Sequence, residues 1–441
     1  MRSLFSITVV TLRNVARSKL AIALALFLAV LTVGLPFSFS GDGTRLGQAR
    51  IAILYTLSIA MLLLSFASVW MSAASLSSDV RTRTLQLVRV KPVRMCTLWL
   101  GKWLAFLILD ALLLAGVLAL LCGRVAIKGN RSFFTSARHE ISPTLISIED
   151  QIDLTYQRAI AGQNFSRKER AALKAQIKEQ IPFATATLAR GDEWKWNFDL
   201  PRPIRKNERL LGRMRFDSDA MTRDQITAEC SLQSKEKGAS VPFRITSFSS
   251  REISIPLDVS PLAGSQHLTL SIKHTGAEGS GPLMLQPRQN LVLLQEASSF
   301  FSNLSRAYLI LLSILAVLIA IGLSFGALFT LPVAVFCSVG FILSVLIGHY
   351  AATDPDVLSM ESDGPEPIAT VITRGIAIAT SRTLTFISQP ALAPRPIGEL
   401  SNGIWISGHD LHRALLLNLL LFPGLFAILV SIPLSRKELP E

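Results

Sequence analysis

The chain is short of charge, of acid and of cysteine. Of its 441 residues 17% are charged and 50% hydrophobic, with a mean hydropathy of +0.44. That balance excludes an ordinary cytosolic protein, a collagen-like chain and a disordered tail. Its four cysteines, Cys96, Cys122, Cys230 and Cys337, lie far apart with no CxxC pair. A zinc knuckle and a disulfide-stapled secreted fold are therefore excluded. No GxxxxGK[ST] loop, GxSxG elbow or HExxH helix occurs, so neither ATP hydrolysis nor hydrolase chemistry has residues to stand on in this chain. Acids are outnumbered, 31 against 44 Lys and Arg, for a net charge of +13. Such an excess raises the question of nucleic acid until the basic residues are located.

What is abundant is long apolar runs. A spanning helix needs ~20 apolar residues to cross a hydrocarbon core of roughly 30 Å. Uncharged windows run between Lys19 and Asp42 and between Arg50 and Asp79. Trp103 to Gly123 is interrupted only by Asp110, Ala307 to Thr353 is uncharged and long enough for two spans, and Ala414 to Ser435 completes the set. The expected architecture is a polytopic α-helical membrane protein with about six transmembrane helices. The first run is too long for a signal-peptide core and no A-x-A site follows, so it reads as an uncleaved anchor.

The basic residues then find their place. Arg2, Arg13, Arg17 and Lys19 precede the first span, Arg81, Arg83, Arg89, Lys91, Arg94 and Lys102 follow the second, and Arg436 and Lys437 follow the last. By the positive-inside rule these segments and both termini face the cytoplasm. Most of the positive excess is a topology signal, so no nucleic-acid partner is expected. The expected domains are a cytoplasmic amphipathic helix (1–19), spans 1–3 (20–123) with a basic loop at 76–102, an extracytoplasmic domain (124–303), a helical hairpin of spans 4–5 (304–350), an extracytoplasmic interfacial segment (351–413), span 6 (414–435) and a cytoplasmic tail (436–441).

Within 124–303 the pattern changes from helical to alternating. Ser166 and Glu169 are spaced as a capping box ahead of ALKAQIKEQI, so two amphipathic helices are expected over 142–181. From Trp194 the period is two: Trp194, Trp196, Phe198, Leu200; Leu210, Gly212, Met214, Phe216; Ile226, Ala228, Cys230, Leu232; Ile253, Ile255, Leu257, Val259; Leu268, Leu270, Ile272. This predicts a β-sandwich over 192–296, making the inserted domain α+β. Trp194 and Trp196 either stack on a ligand or fill the core, and same-face alternation favours the core.

Residues 77–106, SSDVRTRTLQLVRVKPVRMCTLWLGKWLAF, form a basic amphipathic segment broken at Pro92, beyond which a helix restarts. Asp79, Thr84, Leu85, Leu87, Pro92, Arg94 and Gly101-Lys102 stand in an order that resembles the loop between the second and third spans of ABC-2 type ATP-binding-cassette transporter permeases. Arg83 replaces the family's usual glycine, and Asp79 stands where glutamate is commoner. The resemblance extends to LFSITVVTLRNVARSK, LSFGALFTLPVAVF and the C-terminal stretch from Glu399, but not to the external domain. It implies that a separate cytoplasmic ABC ATPase, carrying ATP and Mg, docks on this loop, with Asp79, Arg83, Thr84, Leu85, Val88, Pro92, Arg94, Gly101 and Lys102 as the coupling residues. It also implies a homodimer or a pair with a related permease, a bacterial inner-membrane location, no cofactor or catalytic residue in this chain, and export of a lipid, glycan or other amphiphile. Two other readings keep the topology: a complex that moves the external domain without transport, and an anchored scaffold binding an envelope partner.

Other residues carry two readings each. Asp110, inside the third span, is either a functional carboxyl meeting substrate or a proton, or a lone acid that snorkels or stays neutral. Gly322 and Gly326 have GxxxG spacing, which suits close helix packing or a tight turn. His349, His409 and His412 lie near the external face, where a polar entrance to the last span accounts for them better than a metal site. The runs within Pro367 to Ile397 are too short to span and read as interfacial or re-entrant.

Overall fold

The computed structural model describes residues 2–38, 45–82, 94–127, 137–143, 186–188, 193–218, 225–248, 252–275, 283–285, 290–353 and 395–436, with a few isolated positions. The chain divides into two compact units, Met1–Thr135 with Ser299–Glu441, and Ser136–Ser298.

The first unit is helical. An amphipathic helix α1 (Arg2–Ala16) is followed by apolar α2 (Lys19–Ser38), the pair bent by 66°. Long helices α3 (Arg45–Arg81) and α4 (Met95–Ile127) come next. After the β unit come α5 (Phe300–Leu328), α6 (Leu331–Thr353), α7 (Pro396–Asn402), α8 (Gly408–Ala414) and α9 (Phe422–Arg436). Among the described residues five helices, Gly47–Arg81, Met95–Arg124, Phe300–Leu328, Leu331–His349 and Gly408–Ile432, are long and apolar enough to cross a membrane, and the bent pair makes up to six. The last of these is continuous only because α8 and α9 are joined by a π-helical segment, Leu415–Leu421.

Helix ends are set by local chemistry rather than by the edge of the apolar window. α4 starts at Met95, where the Arg94 carbonyl accepts the first helical bonds, from Thr97 N and Leu98 N. α5 starts at Phe300, earlier than residue 304, because the Ser299 side chain accepts from Ser302 N and caps it.

Packing in this unit centres on α5, whose buried side chains include Ile310, Leu315, Ile319 and Leu323. Gly322 and Gly326 lie against α3. A Cβ on Gly322 would sit 2.7 Å from the Val69 carbonyl oxygen, and one on Gly326 2.5 Å from that of Ala73. Neither glycine has a positive φ, and the turn out of α5 falls at Phe329 and Thr330. Their role is close helix approach. Trp103 Nε1 donates to the Ala316 carbonyl (2.9 Å) and ties α4 to the same helix.

The second unit is a β-sheet region. Strands are β1 (Ala137–Ile141), β2 (Ala186–Leu188), β3 (Glu193–Asp199), β4 (Arg209–Arg215), β5 (Asp217–Ser218), β6 (Gln225–Ser234), β7 (Ser240–Phe248), β8 (Glu252–Asp258), β9 (His267–His274), β10 (Leu283–Leu285) and β11 (Leu291–Ser298). They form antiparallel sheets in the orders β1-β11-β4-β8, β3-β9-β6-β7 and β2-β10-β5. Both four-stranded sheets contribute to one buried cluster holding Trp196, Phe198, Leu210, Met214, Cys230, Leu257, Leu270 and Leu293. The sheet region therefore runs from 137 to 298, wider than 192–296. Strand β1, ARHEI, is too short and polar to show a period, yet it pairs with β11 from Ala137↔Ser298 to Ile141↔Leu293. Nearly all of the helical stretch expected over 142–181 lies outside the described residues, as does nearly all of 354–394.

Candidate functional site

The basic loop is described only at its two ends, where its anchoring can be built residue by residue. Arg83, Thr84, Leu85, Val88 and Pro92 lie outside the described residues. Arg94 is exposed and directly precedes α4, its carbonyl accepting from Thr97 N (2.9 Å) and Leu98 N (3.3 Å). One turn before the loop stands Asp79, on the last turns of α3. Lys102 follows on the third turn of α4.

Lys102 is 6% exposed. A buried ammonium is costly unless every proton is used. Here Nζ forms an ion pair with Asp79 and donates to the Ser75 carbonyl (3.1 Å) and Ser75 Oγ (2.9 Å). Ser75 and Asp79, at i and i+4, share one face of α3. The pair thus closes the loop at its base and joins α3 to α4.

Gly101 faces the other way, against α1. A Cβ there would lie 2.7 Å from Ile7 Cγ2. Buried Thr8 donates to Leu4 O (2.9 Å) and lies within hydrogen-bonding distance of Gly101 O (3.1 Å). These contacts seat α1 on the start of α4, and a cleft of about 610 Å³ opens between α1, α3 and α4, lined by Val10, Asn14, Ser75, Ser78, Asp79 and Lys102 among others. Of the nine loop residues singled out in the sequence, the structure brings Asp79 and Lys102 together and gives Gly101 a packing role. Ser75, Thr8 and Ile7 were not foreseen; the i, i+4 spacing of Ser75 and Asp79 is the signal that could have found the first.

Asp110 lies about two turns further along α4. It is 1% exposed, and its Oδ2 is 2.5 Å from Ser68 Oγ on α3. Its Oδ1 is buried with no hydrogen-bond partner among the described residues. Near the start of α5, Asn303 donates to Ile404 O (2.7 Å) and accepts from Ile406 N (2.9 Å). Arg306 donates to Ile406 O (3.0 Å) and stands 3.9 Å from the Trp405 ring centroid. Asn418, in the π segment, donates to Ser313 Oγ (3.3 Å). It also borders an otherwise apolar cavity of about 350 Å³ between α5, α6 and α9, lined by Ile314, Leu318, Phe341, Val345 and Phe426.

In the β unit Trp196 is fully buried, and Trp194 packs half-buried on the core with its ring 6.0 Å from that of Trp196. Cys230 is buried, and burial pushes its thiol up to about 12. His409 and His412 sit on α8, where the Ser407 side chain accepts from Asp410 N (3.0 Å) and donates to Asp410 Oδ2 (2.6 Å). Asp410 is thereby used as a helix-capping partner. Among the described residues no group of three or more His, Cys, Asp or Glu could hold a metal ion.

Compared with known proteins, the chain matches no protein-family model and no curated protein.

Proposed function

We propose that this protein is the membrane-spanning permease subunit of an ABC-2 type transporter in a bacterial inner membrane, with both termini cytoplasmic. A separate ATPase docks on the loop between α3 and α4 and supplies ATP hydrolysis. The observation that carries this reading is the Asp79–Lys102–Ser75 clamp. A loop that receives force is useful only if its two ends cannot flex independently. A buried ammonium shared by both flanking helices meets that need, and Gly101 extends the connection to α1. Displacement of the loop is then delivered to α3 and α4 together, and through the glycine contacts of α3 to α5.

The exported substrate is a lipid, glycan or other amphiphile. The apolar cavity between α5, α6 and α9 supports a hydrocarbon portion. The largely uncovered apolar side of α6, where Phe336 is 79% exposed, supports a second permease copy or a related subunit.

The test is purification from native membranes in mild detergent. An ABC ATPase is expected to co-elute and to be stimulated by the permease. Arg94→Glu with Leu85→Asp is expected to abolish co-elution. Lys102→Met is expected to leave the ATPase bound while stimulation falls roughly tenfold or more, the scale of an ordinary coupling free energy. Stimulation unchanged in both variants would sink the reading. A second reading, an ATPase that moves the external unit with nothing transported, is favoured by the separate core of Ser136–Ser298. Stimulated ATPase without substrate accumulation in vesicles selects it.

A further inference from the structure

The seam between α3 and α4 contains a carboxyl group whose hydrogen bonds do not balance if it is charged. Ser68 Oγ lies 2.5 Å from Asp110 Oδ2 and 2.6 Å from the Leu64 carbonyl oxygen. A serine hydroxyl has one proton, and a carbonyl oxygen only accepts. With an ionised carboxylate, three oxygens would share that single proton, and one short contact would press lone pairs together with nothing between them. A carboxylic acid supplies the missing proton. Asp110 then donates to Ser68, Ser68 donates to Leu64, and both distances fall in the O–H···O range. The buried, unpartnered Oδ1 points the same way, because the carbonyl oxygen of an acid loses far less on leaving water than a carboxylate does.

Among the described residues no cation pairs with Asp110. α3 carries no charged side chain between Arg50 and Asp79, α5 none after Arg306, α2 none after Lys19, and the last helix none between Arg413 and Arg436. On α4 itself, Lys102 is spent on Asp79 and Ser75, and Arg124 stands in the last turn, about 21 Å along the helix from Asp110. α1 carries Arg13 and Arg17 but meets α4 at the Gly101 end. Tyr308 of α5 faces the same stretch, with its hydroxyl donating to the Ala111 carbonyl (3.0 Å).

We propose that Asp110 is a proton-binding site: its ligand is a single proton, held on its carboxyl between α3 and α4. The site does not depend on the ATPase reading, since it rests on the seam alone.

The experiment is infrared spectroscopy of the full chain in lipid vesicles at neutral pH, taking wild type minus Asp110→Asn. The amide keeps the shape of the acid and can still donate to Ser68. A carboxylic-acid C=O stretch present in wild type and lost in the variant is the expected result, with Ser68→Ala shifting that band by removing its acceptor. Carboxylate bands in its place would overturn the proposal. If Asp110→Asn fails to fold, wild type carrying carboxyl-labelled aspartate gives the same answer: an acid C=O band that moves on labelling is expected at a pH where solvent-exposed aspartates are ionised, and its absence overturns the site.

Discussion

His274 ends β9 with its ring 1% exposed and Nδ1 without a hydrogen-bond partner. Burial, then the nearby Arg190 charge, holds its pKa below the ordinary 6.5. The folded unit therefore favours neutral imidazole, while the unfolded chain takes up a proton as soon as pH falls below 6.5. Stability is full above that value and declines as pH drops from it toward the folded-state pKa. Hydrogen exchange of β6 and β9 in the full chain is expected to speed up over that acidic window, and His274→Gln should flatten the dependence. An unchanged profile in the variant would assign the effect to another group. At the same scale, the sequence named Asp79, Gly101 and Lys102 as members of an ordered loop set without pairing them, whereas Ser75 and Ser68 did not stand out. A serine in a long apolar helix is silent until the neighbouring helix brings it a polar partner.

At the scale of elements, the small residues of α5 decide how closely it lies on α3. Gly326→Leu would drive a side chain into the backbone of Ala73, whose Cα is only 2.8 Å from the position of the new Cβ. Overpacking of this kind costs about 1 to 3 kcal/mol, and the thermal midpoint in detergent should fall accordingly. Gly116→Ala on α4, where nothing lies within 4 Å of the added Cβ, is the control and should hold or raise stability through helix propensity. Elements with a clean period were legible from the chain: the alternating residues of β3, β4, β6, β8 and β9 all enter or border the core. β11 was not, because LVLLQ is buried on both faces and shows no alternation. β7 alternates at Val241, Phe243 and Ile245, but Pro242 between the first two argues against a strand interior. The GxxxG pair was visible, but only the α3 backbone pressed against it separates packing from turning.

For the whole molecule, the division into a helical unit and a β unit means two cores with no residue in common. Folding of a chain so divided is not one transition. Cys230 reports on the β core: its buried, proton-holding thiol is inert while the sheets are closed. On heating the full chain in vesicles, alkylation of Cys230 is expected at its own midpoint, separate from loss of the helical signal. Phe198→Ala, which removes a fully buried ring at a cost of about 3 to 5 kcal/mol, should lower the first midpoint and leave the second in place. Coincident shifts of both would mean a single cooperative unit.

The π segment Leu415–Leu421 has a consequence for the last helix as a whole. A π turn takes up one residue more than an α turn, and one residue is worth about 100° of rotation around an α-helix. The residues after the segment are therefore turned by a fixed angle relative to those before it. Gly408–Ala414 presents its polar cap in one direction while Phe422–Arg436 presents Phe426 and Val430 to the bundle. The extra residue acts as a phase corrector between two faces of one helical rod.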